Sequence, residues 1–118
     1  MKKILVMLLA VLGFSINLSA DTTKSCKISG QTDGATVVAS IIEVGDGYVL
    51  VELDNDGNAP VNVTVKVTCN RSDVSNGQRA CKVSPQSSNT IKIMMNGAKK
   101  DHNINNYSIS ALSGQRCN

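Results

Sequence analysis

The chain has 118 residues, a formal net charge of +3, and 42% hydrophobic against 18% charged residues. That length suits one globular core rather than two. With no Trp, one Phe, two Tyr and no cluster of Lys and Arg, the chain lacks the stacking platforms and basic stripes that hold nucleic acid, and it has few of the flat rings that sugar sites commonly present.

The first twenty residues read as a secretory signal peptide. Lys2 and Lys3 are followed by an apolar run from Ile4 to Phe14, interrupted only by Gly13, and Ala20 puts a small residue at the expected cut before Asp21. The run is short for a membrane span and is not repeated downstream, so the mature chain is expected to have no span. Residues 21–118 form a single expected domain of 98 residues, secreted or periplasmic. Without Lys2 and Lys3, ten bases face nine acids. Their distribution is uneven: residues 21–60 hold seven acids and two bases, and residues 61–118 hold two acids and eight bases. In a small two-layer fold the halves are expected to interleave and neutralise each other.

The mature chain reads as strand and turn throughout. A first strand is expected at Ser25–Ser29. Ala35–Val44 is apolar on both faces and reads as a central strand. Gly45-Asp46-Gly47 is a hairpin turn, leading to a strand over Tyr48–Leu53. Asp54-Asn55-Asp56-Gly57-Asn58 is a dense turn cluster. After Pro60, Val61–Cys69 alternates Val, Val, Val, Val, Cys with Asn, Thr, Lys, Thr, the period of a strand with one buried and one wet face. Ala80–Val83, Thr90–Met95 and Tyr107–Leu112 complete about seven strands, the pattern of an all-β, antiparallel β-sandwich of immunoglobulin-like architecture. The Trp found between the core cysteines of antibody domains is missing.

An oxidising compartment makes the four cysteines disulfide candidates. Cys69 shares a face with the valines of its strand, and Cys81 with Val83. The expected pairs are therefore Cys69–Cys81 and Cys26–Cys117, the second joining the chain ends. The long gaps between cysteines do not match a zinc site, and no cofactor is expected.

Glu52, Asp54 and Asp56, followed by Gly57, imitate the opening of a calcium loop. The twelfth position, where such a loop needs Glu, is Val63, so the turn residues alone explain the pattern better. His102 is the only histidine and lies in a polar stretch; no G-x-S-x-G turn accompanies it, and no catalytic group is expected. The polar segment 70–79 would be tethered by a Cys69–Cys81 bridge, offering Arg71 and Arg79 as partner contacts. The function expected is that of a non-enzymatic binding or structural module acting through contact with a protein partner. The alternative is an inhibitor of a secreted hydrolase such as a protease, with loop 70–79 as the inserting element.

Overall fold

The computed structural model describes residues 21–28 and 35–114. The expected leader, residues 29–34 and Cys117 lie outside the described residues. Seven strands form: β1 (Thr23–Lys27), β2 (Thr36–Gly45), β3 (Tyr48–Asn55), β4 (Val61–Cys69), β5 (Gly77–Val83), β6 (Ser87–Met94) and β7 (Tyr107–Gly114). One turn of 3-10 helix, Ile104–Asn106, leads into β7. The strands make two antiparallel sheets, of order β1-β2-β3-β6 and β5-β4-β7. Among the described residues no helix is long and apolar enough to cross a membrane.

Alternation decides which face of each strand is buried. In β4, Val61, Val63, Val65 and Val67 are buried while Asn62 and Lys66 are exposed. In β3 the odd positions Val49, Val51 and Leu53 are buried. The inner residues of both sheets join one apolar cluster, with Val37, Ala39, Ile91 and Ile93 from the first sheet and Ile109 and Leu112 from the second. Among the described residues Tyr107 is the largest fully buried side chain. A core of β-branched residues suits paired, pleated strands.

The edges of the two sheets lean on each other. Arg79 Nη1 on β5 donates to the Lys92 carbonyl on β6 at 2.9 Å, and Asn89 Nδ2 on β6 donates to the Lys82 carbonyl at 3.0 Å. Gly77 permits the crossing: a Cβ there would stand 2.5 Å from the Met94 carbonyl oxygen. On the opposite side, the Ile109 N–H of β7 donates to the Asp21 carbonyl at 2.7 Å, just ahead of β1. These contacts occupy parts of the edges that strand addition would need.

The two halves of the sequence do not interleave. β1, β2 and β3 all lie in the four-stranded sheet, and β4, β5 and β7 make up the other. Only β6 crosses back from the basic half. The exposed lysines of the three-stranded sheet, Lys66 and Lys82, have no carboxylate beside them on those strands. Glu43, Glu52 and Asp54 belong to the other sheet.

Candidate functional site

The outward face of the four-stranded sheet holds an apolar island. One β-bulge and one cross-strand pairing build it. The β2–β3 register passes from Ile41↔Val51 to Glu43↔Leu50, so Ile42 is an extra residue pushed outward; it is 48% exposed. Across β3, Tyr48 pairs with Met94 and Leu50 with Lys92. Met94 is 66% exposed, while Tyr48 and Leu50 are half-buried. Lys92 Nζ lies 4.5 Å from the centre of the Tyr48 ring, a cation–π contact at the margin of the island. Glu43 and Glu52 stand on the same face, beside Leu50 in the ladder and along β3. The sequence held this signal: an apolar second face on β2 reads as burial inside a sheet stack, yet Val38, Leu50 and Met94 share the outward parity with Ile42 beside them.

Segment 70–79 is not a projecting loop. Residues 77–79 already belong to β5. The Asn70 N–H donates to the Asn106 carbonyl at 2.9 Å, Val74 is buried, and the Ser75 N–H donates to the Asn96 carbonyl at 2.9 Å. Arg71 and Arg79 are not brought together. Arg79 is held on β6 through Lys92. Arg71 stays exposed and pairs with Asp73, its Nε 3.1 Å from Oδ1 and Nη2 3.1 Å from Oδ2. The guanidinium's hydrogen bonds hold the Asp73 carboxyl below the usual carboxylate range, and Asp73 in turn raises Arg71.

The expected Cys69–Cys81 bridge does not form; both are free, half-buried thiols. Shared parity places them on one face but does not set their spacing. The closing pair of the β4–β5 hairpin is Val67↔Gly77, so Cys81 falls opposite Val63. Six residues of strand then separate it from the level of Cys69, about 20 Å at the ordinary rise of ~3.3 Å per residue, far beyond disulfide reach. Cys26 is buried on β1 and does not titrate, being disulfide-bonded; Cys117, the partner expected for it, lies outside the described residues.

The calcium-like carboxylates do not converge. Asp56 Oδ1 accepts the Thr36 N–H at 2.7 Å, tying the β3–β4 turn to the start of β2. Asp54 accepts from the Ser88 hydroxyl across the β3–β6 ladder. Both line a shallow hollow of about 260 Å³ with Gln86, and Glu52 is not part of its wall. Among the described residues no three His, Cys, Asp or Glu side chains could together hold a metal ion. The turn is instead organised by Asn55, the buried polar residue of the described core. Its Nδ2 donates to the Ala59 carbonyl at 2.9 Å and the Val83 carbonyl at 3.1 Å, and its Oδ1 accepts the Gly57 N–H at 2.8 Å.

His102, which reads as a solvated loop residue, is half-buried. Its Nδ1 lies 2.7 Å from the Tyr107 hydroxyl. The Tyr107 pKa is pushed up to about 12, first by burial and then by the neighbouring Cys69 sulfur. Nothing in the residue pattern announces the pairing of His102 with Tyr107 or of Tyr107 with Cys69, because it arises only through the β4–β7 ladder and the approach to β7. Comparison with protein-family models, with curated proteins and with solved structures finds no match to this chain.

Proposed function

We propose that this chain is an exported, non-enzymatic module that binds a protein partner through the outward face of its four-stranded sheet. The reading takes residues 1–20 as a leader cleaved near Ala20. It takes residues 21–118 as one immunoglobulin-like sandwich, secreted or periplasmic, with Cys26 bonded to Cys117. The observation that carries it is the apolar island of Ile42, Tyr48, Leu50 and Met94 on a face built, apart from Val38, of hydroxyls and charges. Such an apolar centre with a polar rim is the anatomy of an interface core. Glu43 and Glu52 on one side and Lys92 on the other specify a partner with an apolar centre flanked by a base and an acid. Contact through a face also agrees with edges that are partly occupied by one another.

The test is affinity capture from the envelope fraction of the source cells. A protein retained by the wild type, lost with Ile42→Asp or Met94→Asp and kept with Arg71→Ala and Arg79→Ala supports the face. Retention that ignores Ile42 and Met94 but depends on the two arginines contradicts it. The inhibitor alternative keeps only Arg71 on the docked loop, because Arg79, though exposed, lies in β5 and donates to the Lys92 carbonyl; absence of inhibition in a trypsin-like protease assay would remove it.

A further inference from the structure

The ladder gives the apolar island two unlike flanks that match each other. Glu43 of β2, Leu50 of β3 and Lys92 of β6 form one row across the sheet. An exposed acid lies on one side of Leu50 and an exposed base on the other, each one strand away, about 4.8 Å. In the adjoining row Gly45, Tyr48 and Met94 are paired in the same way. The Tyr48 ring is turned over Gly45, where a Cβ would collide with it. Met94 stands on the opposite flank and is 66% exposed. The β2 side of the island therefore offers an acid and a ring, and the β6 side a base and a thioether.

We infer that the partner met by this face is a second copy of the chain, held in a two-fold, face-to-face dimer. The inference rests on the reading of this face as a protein contact. A two-fold axis between the two sheets, running along β3, exchanges the β2 and β6 flanks. It sets Leu50 against Leu50, and Glu43 of each copy against Lys92 of the other. Each Met94 meets the other copy's Tyr48 ring, a sulfur–aromatic contact. Ile42, pushed out by the bulge beside Glu43, packs on the aliphatic stem of the facing Lys92. Sheets stacked in this way cross at about 30°, which displaces the facing flank residues by about 2–3 Å, within the reach of Glu and Lys side chains. One contact opposes the pairing. Glu52 and, further out, Asp54 follow Leu50 on the outward face of β3 and meet their own copies near the axis, so the dimer is reversible.

Sedimentation velocity of the purified protein, over a micromolar to millimolar concentration series, tests the inference. The wild type is expected to pass from monomer to dimer, and Ile42→Asp and Met94→Asp to remain monomers. Glu43→Lys alone and Lys92→Glu alone each leave two like-charge contacts and are expected to weaken the dimer at least about 10-fold. Mixed with each other, these two variants are expected to form a heterodimer, because every facing pair is again an acid with a base. The double variant Glu43→Lys, Lys92→Glu is expected to recover self-association. Glu52→Gln is expected to tighten the dimer about 2- to 10-fold by removing the opposed carboxylates. A dimer indifferent to Ile42 and Met94, or single charge variants that do not rescue each other on mixing, would overturn the inference. A wild type that stays monomeric, while envelope capture still depends on Ile42 and Met94, overturns self-pairing alone and leaves the face to an unlike partner. A monomer without such capture removes the reading of the face as well.

Discussion

Asn55 offers the sharpest test of how the turn-rich end of the molecule is held. It is 2% exposed and makes three hydrogen bonds that join the end of β3, the β3–β4 turn and the end of β5. Asn55→Ala removes all three. It leaves the Ala59 and Val83 carbonyls and the Gly57 N–H without that partner. At roughly 1 kcal/mol per hydrogen bond, with more wherever water does not replace the side chain, the loss is about 3–5 kcal/mol. For a domain of this size each kcal/mol lowers Tm by about 4–8 °C, so a fall of more than about 12 °C is expected by calorimetry. Asn55→Asp separates hydrogen bonding from volume. It keeps an acceptor for Gly57 but turns a second oxygen toward two carbonyls. Its defect relative to wild type is expected to be smaller at pH 4 than at pH 8, because a protonated carboxyl can donate where a carboxylate cannot. Asn62→Ala, on the exposed face of β4, is the control and is expected to stay within about 0.5 kcal/mol. A fall below about 1 kcal/mol for Asn55→Ala would refute the assignment of Asn55 as the clasp.

Three further expectations concern the core and the loop end. Val65, fully buried at the middle of β4, loses two methyl groups in Val65→Ala. The cost expected from denaturant unfolding is about 2–3 kcal/mol, without change of fold. Gly97 has a φ of +96° and faces the Asp73 carbonyl. Gly97→Ala therefore meets both backbone strain and a clash, and is expected to lower stability by at least about 2 kcal/mol. In Tyr48→Phe, the remaining phenol of the chain, Tyr107, is expected to ionise near pH 12 by ultraviolet absorbance. Its folded pKa lies above the unfolded value of 10.0, so its contribution to stability is whole below pH 10 and is lost as pH rises toward and through 12. The slope approaches at most about 1.4 kcal/mol per pH unit.

What could be read from the sequence was local. Val61–Cys69 alternates without interruption, and β4 occupies those residues. β2 and β3 fall within one or two residues of their expected positions because the turn at Asp46 and Gly47 marks where they meet. The starts of β5 and β6 were not readable. Gln78, Arg79 and Ala80, and Ser87 through Thr90, are exposed on both parities, so ladder hydrogen bonds rather than burial hold them extended, and no hydrophobic period announces them. The Cys69–Cys81 pairing failed for a related reason. Parity tells which face a side chain takes, whereas register is set by where the hairpin closes, here at Val67 and Gly77. The charge halves were visible in the sequence, but their fate depended on strand order. Three consecutive strands in one sheet preserve the asymmetry that interleaving would erase.

The central claim is that the outward face of the β1-β2-β3-β6 sheet meets a protein. Site-specific photo-crosslinking in the source cells tests it most directly, with the photoreactive residue placed in turn at positions 42, 94, 64 and 80. A discrete adduct of one mass at 42 and 94, absent at 64 and 80 on the three-stranded sheet, is the expected result. Adducts at 64 and 80 with none at 42 and 94 would contradict it.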